Sequence, residues 1–302
     1  MDTTKASQRI ALIGVGLMGH GIATNLVKHG HKLTVLEHPG NQPLDALKAA
    51  GVTTQRSAKA LAQGADVVIV CVTGSPQVEA VLLGDDGVIA GLQRGAVVID
   101  CSTAIPSSTE RIAQAVVGAG AQFLDAPMTR TPKEAAEGRL NLLVGGDAAL
   151  FAQCRPLLAC FAENISYVGP VGAGHRMKLL HNFVSLGFIA LLSEAAACAQ
   201  RAGVAADVLI DVLAKGGGGS VALERLKPYL LTRDSSSLRF AMSNAVKDIG
   251  YYQTMARDSG AAETIADAVL HSYEFGLAAG GQQAAAIELS SLLASAQHTV
   301  GG

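Results

Sequence analysis

Residues 10–35 read IALIGVGLMGHGIATNLVKHGHKLTV: an apolar run, a glycine-rich turn, a helical pattern and a second apolar run. In such a turn Gly14 permits the tight bend, Gly16 lets the backbone approach a pyrophosphate, and Gly19 lets the helix pack closely against the strand. The N-terminus of the helix then faces the phosphate charge. A Gly-x-Gly-x-x-Gly spacing alone is weak evidence, but here the flanking strand and helix patterns agree with it. The turn predicts a dinucleotide-binding site formed by Gly14, Gly16, Leu17, Met18 and Gly19.

An acidic residue, Glu37, ends the second apolar run, 18 positions after Gly19. A carboxylate at this place accepts hydrogen bonds from both hydroxyl groups of an adenosine ribose, and it repels a 2′-phosphate. We therefore expect NAD as the cofactor, and we expect NADP to be disfavoured. The neighbouring Lys32 and His38 would weaken that selectivity. The competing interpretation of Glu37 is a solvated acid at a strand end.

Short apolar runs rich in β-branched residues alternate with helical patterns through the first half of the chain. The runs are continuous, which is typical of strands buried on both faces of a parallel sheet. Strand–helix–strand repetition with right-handed crossovers predicts a doubly wound α/β domain of the Rossmann type. The predicted strands are Ile10–Ile13, Leu33–Leu36, Val67–Val72, Val97–Ile99 and Gln122–Leu124, with a hairpin-like piece at Leu140–Val144.

The second half of the chain has helical apolar spacing almost throughout. A long helix is predicted from His175 to Arg201, and it would be about 40 Å long at a rise of 1.5 Å per residue. We therefore expect a dinucleotide-binding domain over residues 1–172 and an all-α domain over residues 173–302, with the long helix joining them. Breaks between the later helices are predicted at residues 216–219 and near Pro228.

Composition narrows the possible function classes. Of the 302 residues, 49% are hydrophobic and 16% are charged, which indicates a well-buried globular chain. The net charge is −2 and no basic stretch stands out, so we expect no nucleic-acid partner, although one arginine could still hold a small anion. Residues 1–8 lack the apolar region of a signal peptide, and the alanine-rich stretch at 185–198 is interrupted by Glu194. A cytoplasmic protein without membrane contact is expected.

Five cysteines are present, an odd number, and none of them form a Cys-x-x-Cys motif. Several stand inside apolar runs. Reduced and buried thiols are therefore expected, rather than disulfides or metal ligands. These cysteines are Cys71, Cys101, Cys154, Cys160 and Cys198.

Lys178 and Asn182 lie four positions apart near the start of the long helix, so they share a face. A lysine can protonate a nascent alkoxide because its pKa falls readily on burial, and an asparagine can orient a substrate. On spacing alone, however, both are more often surface residues. His181 stands beside them without a second ligand at metal spacing, and we assign no metal site. Lys247 and Asp248, adjacent in a late helix, read by themselves as a solvated pair.

A loop at residues 128–132 contains Arg130 between Thr129 and Thr131. An arginine flanked by two hydroxyl groups could form a fork for an anion such as a carboxylate, a sulfonate or a phosphate. The alternative is a surface arginine paired with Glu134.

Taken together, these segments resemble the β-hydroxyacid dehydrogenase family, the relatives of 3-hydroxyisobutyrate dehydrogenase and 6-phosphogluconate dehydrogenase. The resemblance covers nearly the whole chain. Five ordered matches are far more specific than any one of them. They are residues 10–35, DCST at 100–103, DAPMTRTPKEAAEGRLNLLVGG at 125–146, GAGHRMKLLHN at 172–182 and VKDIG at 246–250.

The resemblance implies roles that spacing alone does not. Lys178 becomes the expected general acid/base, and Asn182 the residue that orients the substrate. The further cofactor contacts that it implies are Thr73, Ser102 and Lys247. The substrate contacts that it implies are Ser102, Thr129, Arg130, Thr131, Lys178, Asn182 and Lys247.

One departure from the family pattern concerns the substrate. The family usually has Ser-Gly-Gly where this chain has Thr129-Arg130-Thr131. Those glycines normally offer backbone N–H groups to a substrate carboxylate. A Gly-Arg-Thr version of this loop occurs in the sulfolactaldehyde and succinic semialdehyde reductase branch, which this chain resembles except that Thr129 stands in place of the glycine. Arg130 therefore favours a sulfonate or another strong anion, as a hypothesis.

The predicted activity is reversible hydride transfer between a nicotinamide cofactor and a small anionic 3-hydroxyacid or its semialdehyde. The apolar helical half predicts a homodimer or homotetramer. Three alternatives are an imine reductase-like enzyme on the same scaffold, a non-catalytic dinucleotide-binding regulator, and a fusion with a chromatin-reading domain. An imine reductase or a regulator would have no need of Lys178, so its presence argues against both. A fusion with a chromatin-reading domain would carry an additional domain or basic segment.

Overall fold

The computed structural model describes residues 8–296. The chain forms two compact units, of which the first ends at Lys178 and the second begins at Leu179. This division falls inside one continuous helix, Ala173–Arg201. The domain boundary expected at residue 172 lies just before the same helix.

A nine-stranded sheet forms the centre of the first unit. Its first six strands are β1 Arg9–Ile13, β2 Lys32–Leu36, β3 Thr53–Gln55, β4 Val67–Val70, β5 Val97–Asp100 and β6 Gln122–Asp125. All five pairings among these strands are parallel. Strand order runs β3-β2-β1-β4-β5-β6, so the direction of winding reverses at β1 and β4. The glycine-rich turn follows β1, at the switch point where doubly wound folds bind nucleotides.

Alternate residues of each parallel strand enter opposite cores. Ile10 and Leu12 belong to one apolar cluster, whereas Ala11 and Ile13 belong to the other. The same division holds along β4 and β5, because successive side chains of a strand point to opposite faces. Burial on both faces explains the continuous apolar runs, and the predicted doubly wound fold is confirmed.

In the described part of this unit, residues 8–178, seven helices pack around the sheet. They are α1 Leu17–Lys28, α2 Asp45–Ala49, α3 Ala58–Gln63, α4 Ser75–Leu83, α5 Pro106–Gly118, α6 Pro132–Glu137 and α7 Ala148–Leu158, and a 3-10 turn spans Val88–Gly91. Helix α1 packs against α6 at Gly21, where the backbone of Ala135 comes close. The side-chain amide of Asn25 ties the two helices together by donating to the carbonyl oxygens of Gly21 and Ala135, both at 2.9 Å.

The far edge of the sheet contains strands that the apolar pattern did not predict in full. They are β7 Met128–Thr129, β8 Leu140–Gly146 and β9 Ala162–Gly169. Strand β8 pairs antiparallel with β6 and β7, and parallel with β9. The hairpin-like piece at 140–144 is thus one arm of the β7–β8 pair.

The second unit is helical. Helix α8, Ala173–Arg201, enters it from the first unit. It is followed by α9 Ala206–Lys215, α10 Val221–Thr232, α11 Met242–Ser259, α12 Thr264–Gly280 and α13 Leu289–Ser295, with a 3-10 turn at Ala286–Glu288. Leu186 and Ala190 of α8 pack into a core with α11 and α12, while Ile189 and Leu192 pack into a second core with α10.

Three expectations need correction. Pro228 lies inside α10 instead of breaking it, because the helix accommodates the one lost N–H and continues to Thr232. Cys198 is exposed, whereas Cys101, Cys154 and Cys160 are buried; all five thiols are free. Helix α8 is also longer than the stretch at 185–198, and it is long and apolar enough to cross a bilayer. Half of its most apolar window is buried inside the protein.

Candidate active site

The glycine-rich turn has the shape that a pyrophosphate requires. Gly14 has φ +88°, and a Cβ atom there would overlap the carbonyl of Cys71, the residue directly after β4. Gly16 is the N-cap of α1, and a Cβ built on it meets nothing within 4 Å. Because its N-cap has no side chain, the first N–H groups of α1 are left for an anion. The turn therefore fits the phosphates of a dinucleotide.

Asn41, which the sequence analysis did not single out, holds this turn in place. Its Oδ1 accepts a hydrogen bond from the backbone N–H of Val15 at 3.2 Å, and its Nδ2 donates to the carbonyl of Leu36 at 2.9 Å. The loop after β2 is thereby fastened to the loop after β1. No spacing signal marks an asparagine in this role.

Glu37 lies at the end of β2 and borders an open cavity of about 570 Å³, which Asn41 and Arg56 also line. Its carboxylate accepts hydrogen bonds from Arg56 Nε at 3.0 Å, Thr54 Oγ1 at 2.9 Å and Lys48 Nζ at 3.3 Å. These three donors, Arg56 first, lower the pKa of Glu37 to about 2. The carboxylate is therefore charged at any physiological pH.

Ser102 is buried in the loop after β5, and each of its polar groups has a partner. Its N–H donates to Asp100 Oδ1 at 2.9 Å, and its Oγ accepts from the N–H of Val72 at 3.0 Å. Its carbonyl oxygen lies 3.1 Å from the Nε2 atom of His175. The loops after β4 and β5, which contain the candidates Thr73 and Ser102, are thus linked to each other and to the first turn of α8.

Lys178 and Asn182 are both buried, at 8% and 6% exposure, so the surface interpretation of this pair is wrong. Within the helical unit, Asn182 Nδ2 donates to Asp248 Oδ2 at 2.6 Å. His181 Nδ1 lies 3.0 Å from Asn182 Oδ1, so both ends of the amide have fixed neighbours. One hydrogen of Nδ2 remains for another acceptor.

Asp248 is 2% exposed, so its interpretation as half of a solvated pair is also wrong. Its Oδ1 lies 3.2 Å from Lys247 Nζ, and Lys247 is further placed over the ring of Tyr251 at 5.7 Å. Asp248 thereby joins Asn182 and Lys247. A signal for its burial existed, because Asp248 is three positions after Ala245 on the apolar face of α11.

Arg130 is engaged elsewhere. It has φ +82°, a region that favours glycine, and its Nη1 donates to Glu163 Oε2 and to the carbonyl oxygen of Arg139. The expected partner, Glu134, instead completes the capping box of α6 by accepting from the backbone N–H of Thr131 at 3.0 Å, and it also accepts from the hydroxyl of Thr131 at 2.5 Å. Arg130 is therefore paired with an acid, but the acid is Glu163 and not the predicted Glu134.

The two threonines beside Arg130 also have partners within the protein. Thr129 Oγ1 accepts from Asn141 Nδ2 at 3.1 Å across the β7–β8 pair. Thr131 Oγ1 accepts from the N–H of Lys133 at 3.3 Å as the N-cap of α6. The structure therefore accounts for both hydroxyl groups without a ligand, and their predicted substrate contacts stay predictions.

The structure groups the predicted residues in three places. Ser102 and Thr73 lie in loops that are joined to the start of α8, upstream of Lys178. Asn182 and Lys247 share Asp248 within the helical unit, and Arg130 lies at the β9 edge of the sheet. Among residues 8–296, no group of three or more His, Cys, Asp or Glu side chains is placed to hold a metal ion.

Comparisons with known proteins identify the class. The sequence-family model described as the NAD binding domain of 6-phosphogluconate dehydrogenase matches residues 9–169. A second family model, described as the NAD-binding region of NADP-dependent 3-hydroxyisobutyrate dehydrogenase, matches residues 172–293. With the fold and the glycine-rich turn, these matches define an NAD(P)-dependent dehydrogenase acting on hydroxyacids. More closely, the chain belongs to the β-hydroxyacid dehydrogenase family.

Individual relatives agree with this assignment. An NAD-dependent L-serine dehydrogenase of Pseudomonas aeruginosa is 36% identical over 280 residues, which are 90% of this chain and 93% of that protein. A 3-hydroxyisobutyrate dehydrogenase of the same organism is 35% identical over 73% of this chain and 74% of its own length.

Among solved structures, a Mycobacterium tuberculosis 3-hydroxyisobutyrate dehydrogenase with L-serine matches with a TM-score of 0.84 and 26% identity, over 95% of this chain and 98% of that one. An imine reductase from Myxococcus stipitatus shares the fold more distantly, with a TM-score of 0.63 and 20% identity.

Proposed function

We propose that this protein reversibly oxidises a small 3-hydroxy carboxylic acid with NAD, using Lys178 as the proton-transfer residue. The observation that carries the proposal is the burial of Lys178 on the same helix as Asn182, in the motif that the family match covers. Buried titratable groups cluster at functional sites, so the burial of Lys178 within the family motif supports a role in chemistry. A regulator without catalysis would give no reason to keep this lysine buried.

When bound, NAD accepts or returns a hydride at C4 of its nicotinamide ring. Oxidation of the alcohol also requires loss of the hydroxyl proton. In the oxidative direction, the neutral amine of Lys178 takes this proton as the carbonyl forms, and in reduction its ammonium returns the proton to the oxygen. One Nδ2 hydrogen of Asn182 is donated to Asp248, which fixes the direction of the amide. The second Nδ2 hydrogen donates to the same substrate oxygen.

The choice of NAD over NADP is part of the proposal. Glu37 stands at the end of β2 with a pKa of about 2, so a negative charge faces the place of the adenosine ribose. Repulsion of a 2′-phosphate follows. Lys48 and Arg56 lie against the same carboxylate and reduce the repulsion, so we expect a preference and not an absolute selection.

A carboxylate substrate is supported by the state of Arg130. The guanidinium already contacts Glu163 and a backbone carbonyl, so its charge is largely compensated and it serves as a clamp between the β7–α6 loop and β9. The relative named NAD-dependent L-serine dehydrogenase points to the same class of small 3-hydroxy acid. The second candidate, a sulfonate, is favoured by the presence of an arginine at a positive φ, where a glycine would cause less strain.

A substrate panel separates the two candidates. L-serine and 3-hydroxyisobutyrate are assayed for NADH formation, and sulfolactaldehyde, succinic semialdehyde, tartronate semialdehyde and methylmalonate semialdehyde for NADH consumption. Wild type and Arg130→Gly are compared, with Glu163→Gln as the matched variant that releases the guanidinium.

We expect a carboxylate substrate to give the highest kcat/KM, and Arg130→Gly to change that value by less than about threefold. Preference for sulfolactaldehyde that collapses in Arg130→Gly would instead make the arginine the anion selector and overturn the carboxylate assignment. Glu163→Gln would then raise the sulfonate activity. Absence of turnover with every hydroxyacid and aldehyde, together with reduction of cyclic imines, would favour imine reductase chemistry.

We also propose that the protein works in the cytoplasm as a homodimer or homotetramer. The named relatives are bacterial dehydrogenases of this fold, which supports the first statement. The exposed apolar side chains of α8 support the second.

A further inference from the structure

His175 is a buried residue that the proposed chemistry does not use. Its side chain is 0% exposed, and it lies in the first turn of α8, three positions before Lys178. Ring atom Nδ1 is 2.8 Å from the hydroxyl of Thr109 on α5, and ring atom Nε2 is 3.1 Å from the carbonyl oxygen of Ser102. The imidazole therefore connects the lysine-bearing helix with α5 and with the serine loop.

Two buried carboxylates flank the same ring. Asp125 Oδ2 accepts from the backbone N–H of His175 at 2.9 Å, and Asp125 Oδ1 accepts from that of Gly172 at 2.8 Å. Asp100 Oδ2 lies 3.9 Å from Nε2 and has no hydrogen-bond partner within the described residues 8–296. Asp100 and Asp125 end the adjacent strands β5 and β6, so the ring and its backbone fasten α8 to the carboxyl ends of both strands.

The hydrogen-bond geometry fixes one proton of the ring. A carbonyl oxygen can only accept, so Nε2 must carry a hydrogen in order to bond to Ser102. Thr109 places no such condition on Nδ1, because its hydroxyl can donate either to the ring or to the carbonyl of Ile105 at 3.2 Å. Of the two ring contacts, therefore, only the one from Nε2 to Ser102 fixes which atom is the donor.

We propose that His175 is a positioning residue: its Nε2–H bond to the Ser102 carbonyl sets the serine loop against the helix turn that precedes Lys178. The inference rests on the proposed function, in which Lys178 transfers the proton, and on the cofactor and substrate contacts that the family resemblance implies for Ser102. A misplacement of about 1 Å at reacting groups can lower a rate by about 100-fold. His175 touches neither substrate nor cofactor in this role, and it acts through the residues it holds.

Amide substitutions distinguish the two ring nitrogens. Glutamine places an amide N–H near the position of Nε2, whereas asparagine reaches only as far as Nδ1. We expect His175→Gln to retain kcat within about threefold, and His175→Asn to lose about 10- to 100-fold in kcat with little change in the KM for NAD. Thr109→Val removes the Nδ1 contact and the bond from the same hydroxyl to the Ile105 carbonyl, but it leaves the Nε2 contact in place. It is the matched control and should leave kcat within about threefold.

A merely structural histidine would behave otherwise. Equal kcat values for His175→Gln and His175→Asn, after correction for the folded fraction by circular dichroism, would overturn the proposal. A second readout needs no turnover: in wild type labelled with ¹⁵N-histidine, long-range ¹H–¹⁵N spectra should show a protonated Nε2. An unprotonated Nε2 would overturn the proposal even if every variant unfolds.

Failure of the proposed function has a different signature. If Lys178→Ala keeps full turnover, the proton-transfer role fails regardless of the histidine variants. If Lys178→Ala is inactive while His175→Asn is as active as His175→Gln, only the positioning role fails.

Discussion

Glu37 shows how much a single residue's neighbours matter. The sequence predicts an acid at the end of β2, but it does not show that Arg56 and Thr54, 17 to 19 positions later, would donate to it. Those donors lower its pKa from 4.5 to about 2. A lowered pKa means that this carboxylate favours the folded state above about pH 4.5, and that its contribution is lost as the pH falls toward about 2.

The same pKa predicts how cofactor selectivity depends on pH. Because Glu37 stays ionised, the ratio of NAD to NADP affinity should be constant from pH 5 to pH 9, after allowance for the titration of the 2′-phosphate itself. The reduced cofactors report the affinities: binding is measured by the change in the fluorescence of NADH and of NADPH as the protein is added. Glu37→Gln, which keeps the shape and removes the charge, should lower the ratio by about 10-fold or more. An unchanged ratio in that variant would show that another group selects the cofactor.

Other site residues divide between those that sequence reasoning could find and those that it could not. Lys178 and Asn182 could be predicted as site residues from their motif, although their burial could not be predicted. Asp248 was interpreted as solvated because adjacent opposite charges usually are, while its place on an apolar helix face indicated the reverse. His175 gave no signal of its own, since its partners come from α5 and from loops 50 to 73 positions away.

At the scale of elements, strand prediction succeeded where burial was two-sided. β1, β4, β5 and β6 are apolar on successive residues, and the sequence locates them to within a few positions. β3 has three polar residues, and β9 is mostly exposed, so neither has an apolar run to detect. These edge strands are ordered by pairing with neighbours and not by their own hydrophobicity.

Packing between α1 and α6 gives a prediction for Gly21. A Cβ atom at this position would lie 2.5 Å from the carbonyl carbon of Ala135, so Gly21→Ala should destabilise the fold by about 1–3 kcal/mol through overpacking. The matched control is Gly118→Ala on α5, where a Cβ meets nothing within 4 Å and better helix propensity should stabilise slightly. Thermal unfolding compares the two. A Tm for Gly21→Ala at or above wild type would contradict the close contact.

At the scale of the whole molecule, the long helix has an apolar face that is exposed among the described residues 8–296. Val184, Phe188 and Leu191 follow each other at four and three positions, and they are 54%, 47% and 66% exposed. Side chains at this spacing form a single stripe along a helix. Their exposure in a single chain supports the proposed association of copies through α8.

Charge placed on that stripe should dissociate the oligomer. We expect Leu191→Glu to shift the mass measured by light scattering after gel filtration from an oligomer to 30.8 kDa, the mass of one chain. Val117→Glu, at a similarly exposed position on α5, is the control and should leave the mass unchanged. A monomeric wild type would show that the chains do not associate. An oligomer that survives Leu191→Glu would show that they associate through another surface.

The most direct test of the account is the turnover of Lys178→Ala with NAD and the best hydroxyacid of the panel, measured beside the affinity of the same variant for NADH. Loss of the proton-transfer group should lower kcat by about 10²- to 10⁴-fold, while NADH binds within about threefold of wild type. Turnover within threefold of wild type would show that Lys178 does not transfer the proton, and the proposed mechanism would be wrong.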